Sequence, residues 1–212
     1  MCYSAESSLN SFIICTIASI YLLNTKSDVN KYIGVVFITV GSMQFLEYLM
    51  WIDQKCGILN NFASKMVTIV LLSQILAIVV GGYLFNTVIV SKTILYYTSI
   101  FIIALIVANL YNNFVYDKRK WCSKKNKYNN LEWDKYDEIW YIIKIIYCLI
   151  VLGYPFLLSI EKWKGILVAF TGFITLLYTK MTLSPSGSRW CYFAAYTPVL
   201  LCIIDVLQKV KY

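Results

Sequence analysis

The sequence contains no histidine and few charged residues, and both shortages exclude functions. Its 212 residues include no His, and Asp, Glu, Lys and Arg together make up 14% of the chain. Without histidine it lacks the usual ligand of haem, di-iron and zinc centres and the commonest general base. No Cys-x-x-Cys pair is present either. The sequence therefore predicts no metal site and no cofactor.

The low charge also indicates the environment of the chain. A soluble domain carries about 25% charged residues, whereas this chain is 59% hydrophobic and has a mean hydropathy of +0.65. Its apolar blocks are about 20 residues long, enough for an α-helix to cross the roughly 30 Å hydrocarbon core of a bilayer. The alternation typical of membrane barrel strands is not visible. The sequence predicts an all-α, polytopic transmembrane helix bundle with about seven transmembrane helices.

The predicted helices form a single transmembrane domain over residues 1–212. They span residues 8–23, 32–51, 66–84, 88–111, 139–159, 166–182 and 190–206. The boundary between the third and fourth helices depends on a turn near Asn86. We call the face with the N-terminus and the loops after the second, fourth and sixth helices side A, and the opposite face side B. The two termini are expected on opposite faces.

The largest predicted loop is a charged extramembrane connector at residues 112–138. Its first half is basic and its second half acidic, which indicates a solvated and mobile segment without a core. Lysine and arginine are commoner in the side A loops than on side B, so the positive-inside rule indicates that side A is cytoplasmic. Attraction to lipid head groups explains the net charge of +8 better than nucleic acid does.

Polar residues of the predicted helices collect near side A. Gln44, Glu47 and Tyr48 share one stripe of the second helix with Trp51. A charge inside hydrocarbon costs about 2.5–3.5 kcal/mol even on insertion scales, so Glu47 is expected to face the bundle and find a partner. The candidate ligand-binding residues are Glu47, Gln44, Tyr48, Arg189, Lys144, Tyr192 and Tyr141. The alternative is that the tyrosines and Lys144 are interfacial anchors.

The oxidation state expected for the cysteines depends on the orientation of the protein in the membrane. Cys2, Cys56, Cys122 and Cys191 are all predicted on side A. They would be thiols if side A is cytoplasmic, and could form two disulfides if it faces an oxidising compartment.

Short motifs on side A resemble those of a known family. The chain opens Met1-Cys2-Tyr3-Ser4-Ala5, and the sequences at 44–47 and 188–191 are Gln-Phe-Leu-Glu and Ser-Arg-Trp-Cys. In these motifs it resembles an uncharacterised family of small multi-pass membrane proteins opening Met-Cys-Phe/Tyr-Ser-Ala. The resemblance implies that these side A residues belong together and supplies no activity.

Three functions fit this pattern. The first is a side A pocket that binds or conducts a small polar ligand, a lipid head group or an ion at Glu47. The second is a membrane-embedded lipid-active enzyme with Glu47 as acid/base and Arg189 holding a phosphate. The third is a structural or assembly protein. A polar path continuing to Asp205 would favour conduction. The expected partners are membrane lipid and a small ligand or ion, and homo-oligomer formation stays open.

Overall fold

The computed structural model describes residues 4–126, 130–134, 147–181 and 186–210, and for residues 179–181, 186–189 and 210 only the backbone. Apart from one short β-hairpin, the regular structure of these residues is helical. The helices are α1 (Ala5–Leu23), α2 (Asp28–Ile52), α3 (Ile58–Phe85), α4 (Lys92–Tyr111), α5 (Tyr147–Leu157), α6 (Lys162–Met181), α7 (Ser186–Ala194) and α8 (Thr197–Val210). A π-helical turn, Asn112–Tyr116, extends α4. In the hairpin, β1 (Lys124–Lys125) pairs antiparallel with β2 (Leu131–Glu132).

Within the described residues, five apolar helical stretches are long enough to cross a membrane. They are Ala5–Leu23, Asp28–Ile52, Ile58–Phe85, Lys92–Tyr116 and Trp190–Lys209. The all-α class predicted from the sequence is therefore confirmed, and its long apolar helices are consistent with a membrane location. Helix α4 packs at the edge of the bundle, where only Leu95 and Ile102 are buried.

Two helix boundaries differ from the predicted ones for identifiable reasons. Helix α3 begins at Ile58 because the carboxylate of Asp53 accepts the backbone N–H groups of Gly57, at 2.9 Å, and Asn60, at 3.0 Å. These bonds satisfy donors that a helix start leaves unpaired. The predicted helix 190–206 is instead divided between α7 and α8. Pro198 follows the break directly and has no N–H to continue the helical hydrogen bonds.

The predicted turn at Asn86 is present. This residue ends α3 in the left-handed conformation, with φ 52° and ψ 39°, which asparagine tolerates better than most residues. The backbone then turns back so that Ile89 N–H donates to Leu157 O and Ser159 N–H donates to Thr87 O, both at 2.8 Å. The loops after α3 and α5 therefore meet on side B.

Helices α1 and α2 approach closely through small residues. A methyl group at Gly34 would lie 2.8 Å from the backbone oxygen of Ser19, and one at Gly41 would lie 3.0 Å from the Cys15 sulfur. The Cys15 thiol donates to the carbonyl of Phe37 at 3.2 Å. Small side chains are the usual means of close helix packing in membranes, where no hydrophobic force drives helices together.

This close approach gives a stability prediction. Gly34→Ala should destabilise the protein by about 1–3 kcal/mol, because the new methyl group meets backbone that cannot move independently. Gly153→Ala is the matched control, since a methyl group there meets nothing within 4 Å and alanine favours helix by up to about 1 kcal/mol. Thermal unfolding in detergent would compare the two variants. Equal midpoints would contradict the proposed tight contact.

The buried core of the described residues comprises three groups of side chains, and the smallest joins α3 to α4 through Val79, Leu95 and Ile102. The side A group contains Met43, Leu46, Met50, Ala63, Val67, Val70, Leu71, Leu131, Tyr147, Trp190 and Cys191. The second includes Cys15, Leu22, Tyr32, Ile33, Val36, Phe37, Val40, Tyr154 and Leu158, and extends to side B. Leu131 belongs to the connector rather than to a membrane-length helix. The side A core is thus completed by a segment from outside the bundle.

Candidate ligand-binding site

Glu47 lies in the side A core near the end of α2. The side chains of Glu47 and Gln44 are both 0% exposed. One carboxylate oxygen of Glu47 accepts the Gln44 amide N–H at 3.0 Å, and the other accepts the indole N–H of Trp133 at 3.1 Å. Met43, Leu46 and Met50 are buried on the same helix. Both carboxylate oxygens are therefore held by donors at a position that water does not reach.

Trp133 comes from the connector, which the sequence analysis predicted to be solvated and without a core. For the residues described, that prediction is wrong. Trp121 and Leu131 are each 1% exposed, and Ser123 and Asn130 are fully buried. The connector folds back over the side A end of α2 and α3, and carries an apolar side chain into the core and an indole N–H to Glu47.

The connector is attached mainly to the first turns of α3. The side-chain amide of Asn60 donates to the carbonyl of Ser123 and accepts its backbone N–H, both at 2.9 Å. One turn later, the hydroxyl groups of Ser64 and Ser123 share a hydrogen bond of 2.8 Å. The backbone N–H of Trp121 also donates to the side chain of Asn61 at 2.8 Å. Asn60 and Ser64 lie in a segment that was predicted as loop, so the sequence analysis did not find them.

A disulfide between Cys56 and Cys122 also joins the connector to the loop before α3, with 5.2 Å between the two Cα atoms. Both cysteines lie on side A. Disulfides persist in oxidising compartments, so this bond leads to the prediction that side A faces away from the cytoplasm. That orientation is opposite to the one indicated by the distribution of lysine and arginine. Of the other side A cysteines, Cys191 is buried in the core, and Cys2 lies outside the described residues.

Asp53 fixes the loop that carries Cys56. The backbone N–H of Asn60, assisted by that of Gly57, lowers the pKa of the Asp53 carboxyl below its ordinary value. The group therefore stays ionised at neutral pH and keeps its two hydrogen bonds to the start of α3.

The other candidate residues have different surroundings. Tyr48 is half-buried and stacks beside Phe45, with 6.3 Å between ring centroids. The hydroxyl of Tyr192 accepts that of Tyr196 at 3.4 Å, and Tyr196 contacts the Ser11 hydroxyl at 3.3 Å. Arg189 lies in the first turn of α7, and only its backbone is described, whereas Tyr141 and Lys144 lie outside the described residues. Their proposed roles stay predictions.

Two buried donors lie close to the level of Glu47. The antiparallel pair α1–α2 places Phe12 against Phe45, with 5.2 Å between ring centroids, so Ser8 lies one turn nearer side A. Trp51 lies one turn beyond Glu47 on α2. Among the described residues, neither the Ser8 hydroxyl nor the Trp51 indole nitrogen has a hydrogen-bond partner. Buried donors of this kind are unusual and provide unused hydrogen-bonding capacity.

Side B has its own polar cluster, although the sequence analysis expected the polar residues of the helices to collect near side A. The ammonium group of Lys164 is 2.7 Å from the side-chain oxygen of Asn30 and pairs with Glu161. The Asn30 amide donates to Asp205 at 3.2 Å, and the hydroxyl of Tyr21 donates to Asp205 at 2.9 Å. This cluster joins α1, α2, α6 and α8.

The two polar clusters are far apart. Glu47 follows Asn30 by 17 residues on α2, which corresponds to about 25 Å. The buried residues of α2 between the clusters include Ile33, Val36, Phe37 and Val40. Near mid-height, the Tyr147 hydroxyl donates to the side chain of Gln74. The described residues therefore form separate polar groups rather than a continuous path.

Comparison with known proteins adds no relative. No protein-family model, curated protein or solved structure matches the chain. The fold and the site define only a class, a helical chain with several membrane-length apolar helices and a buried carboxylate near one end.

Proposed function

We propose that the protein crosses the membrane seven times and binds a small polar ligand or ion beside Glu47 on side A. The seven crossings comprise the five long apolar stretches together with the helices containing α5 and α6. Two contacts at opposite ends of the helix bundle support helices that cross in alternating directions. The Cys56–Cys122 disulfide joins the α2–α3 loop to the connector on side A. The backbone pairing of Val88 with Leu158 joins the α3–α4 and α5–α6 loops on side B.

The buried position of Glu47 is the main support for a binding site. An ionised carboxylate in an apolar bundle is costly, and replacing a buried charged pair with apolar residues is often neutral or stabilising. A purely structural role therefore does not need a glutamate there. The carboxylate of Glu47, which also accepts a hydrogen bond from Trp133, supplies acceptors for a small ligand. The unused N–H and O–H groups of Trp51 and Ser8 supply donors.

Binding fits the arrangement better than conduction does. A conducting protein needs polar or water-lined groups along the whole path. Apolar side chains separate the Glu47 group from the Asp205 group among the described residues. The ligand chemistry that suits a carboxylate is a small cation or a molecule with N–H or O–H donors.

Thermal stabilisation by small cations tests this proposal directly. A bound ligand at 100 times its dissociation constant stabilises the folded state by about 2.7 kcal/mol. The probes are sodium, potassium, magnesium, ammonium, guanidinium and choline ions, added to protein in nanodiscs. We expect at least one probe to raise the unfolding midpoint of the wild type and to leave Glu47→Gln unchanged.

Glu132→Gln is the matched control, because it removes one carboxylate charge from an exposed position of β2. This variant should keep the full stabilisation by the active probe. Binding of a small cation at Glu47 would be contradicted if no probe raised the unfolding midpoint of the wild type. It would also be contradicted if a probe raised the midpoints of the wild type and Glu47→Gln equally.

A further inference from the structure

The point where α4 leaves the apolar region contains an open cleft with a volume of about 580 Å³. It is lined by Asn112, Tyr116, Asp117, Lys118 and Arg119. The apolar span that contains α4 ends at Tyr116, so the cleft lies at the side A end of this span in the seven-crossing arrangement proposed above, on which this inference rests. It lies outside the Glu47 site, and its function is independent of the ligand proposed there.

In the folded connector, Asp117 and Asp134 accept hydrogen bonds from N–H groups of the connector itself, whereas Glu132 and the described basic side chains are exposed. One carboxylate oxygen of Asp117 accepts the backbone N–H of Arg119 at 2.8 Å, and the other accepts the Trp121 indole N–H at 2.9 Å. The carboxylate of Asp134 accepts the backbone N–H of Cys122 at 2.7 Å. By contrast, all the described cations of the connector are exposed: Lys118, Arg119, Lys120, Lys124 and Lys125. Among the described residues of the connector, the exposed charges are these five cations and one carboxylate, that of Glu132, so the exposed charge is predominantly basic.

Within the cleft, the two cations are presented in different ways. The guanidinium of Arg119 is oriented by Asp117, 3.8 Å from its Nε, and by the ring of Trp121, 4.9 Å away. Lys118 forms no hydrogen bond or ion pair with any other residue in the described part of the chain. An oriented guanidinium beside an exposed ammonium group suits a phosphate, which arginine binds through two parallel hydrogen bonds.

The apolar residues next to the cleft identify the source of that phosphate. Val115 is 50% exposed and Tyr116 is 76% exposed, and both lie on the membrane side of the two cations. Aromatic and aliphatic groups at this depth contact the glycerol and upper acyl region of lipids. We propose that this cleft binds the phosphate of one anionic phospholipid, with Lys118 and Arg119 on the head group and Val115 and Tyr116 along the acyl chains.

Native mass spectrometry of the full-length protein with phosphatidylglycerol or phosphatidylcholine tests this site. Wild type should bind one phosphatidylglycerol more tightly than phosphatidylcholine. Lys118→Ala/Arg119→Ala should weaken phosphatidylglycerol binding about tenfold or more, because charge-assisted bonds are lost. The control is Lys124→Ala/Lys125→Ala, which removes the same charge from exposed positions of β1, outside the cleft. It should change the affinity less than about twofold, since exposed charges at a distance are screened.

Three results would overturn the proposal. The first is equal affinity of the wild type for the two lipids, and the second is equal weakening of phosphatidylglycerol binding in the two double variants. The third is inorganic phosphate binding as tightly as the lipid, which would assign the cleft to a soluble anion. If the first double variant does not fold, Lys118→Ala alone replaces it, and it should still weaken phosphatidylglycerol binding more than Lys124→Ala does. Equal binding by these two single variants would also overturn the proposal.

Discussion

Cys56 and Cys122 should resist thiol reagents until the protein is reduced. The expected result follows from their disulfide and is measured by mass shift after maleimide labelling of unfolded protein, with and without a reductant. In sealed, right-side-out vesicles, a membrane-impermeant phosphine should reduce this bond from outside, because we expect side A to face an oxidising compartment. Labelling of both cysteines without any reductant would restore the cytoplasmic assignment of side A.

Loss of this disulfide should also lower stability substantially. The two cysteines are 66 residues apart in sequence, and a bond closing a loop of that size stabilises by about 2–4 kcal/mol. Cys56→Ser/Cys122→Ser should therefore unfold at a clearly lower temperature, and protease should reach the connector sooner. Cys202→Ser is the control, since this α8 thiol donates only to the carbonyl of Ala18 at 3.3 Å and serine keeps a donor. Unchanged proteolysis of the connector in the double variant would show that its hydrogen bonds suffice.

Replacement of Glu47 should give the second large effect. Glu47→Leu removes the carboxylate that accepts the N–H groups of Gln44 and Trp133, and the loss of these two hydrogen bonds should cost about 1–3 kcal/mol in total. Glu47→Gln keeps the shape and one acceptor oxygen, so it should cost about 1 kcal/mol while abolishing ligand-dependent stabilisation. Unfolding midpoints without ligand would separate these variants.

Trp133→Phe isolates the contact between the connector and Glu47. It removes one donor and keeps an aromatic ring, and should cost about 1 kcal/mol on its own. Combined with Glu47→Leu, it should cost less than the sum of the two changes, because the unpaired indole N–H is then absent. If the Glu47→Leu variant unfolds at the same temperature as the wild type, the carboxylate has no structural role.

The connector explains where sequence-based prediction succeeded and failed. Residues 112–138 were predicted to be solvated because basic and acidic runs usually face water. Trp121, Leu131 and Trp133, which lie among its charged residues, were the available signal for a docked segment. Three apolar residues among charges have no helical or strand period, so no local pattern indicates what they contact.

The positive charge of side A gave an orientation opposite to the one that the disulfide indicates. Charge counting assumes that lysines in short loops reflect insertion. The disulfide joins two segments 66 residues apart, and only the fold shows that Cys56 and Cys122 meet.

The predicted third helix was also too short, because the cap that starts it depends on hydrogen bonds from the backbone N–H groups of Gly57 and Asn60 to Asp53.

The sequence by itself determined the all-α class, the apolar membrane-length helices, the turn at Asn86 and the inward stripe of α2 that carries Gln44 and Glu47. These features follow from hydrophobic block length and helical period, which are local properties of the chain. The tertiary structure decided that Trp133 reaches Glu47, that Asn60 and Ser64 hold the connector, and that Asn30, Lys164 and Asp205 form a cluster on side B. Each of these contacts joins distant segments, and its partner depends on how the helices pack rather than on the residues beside it in sequence.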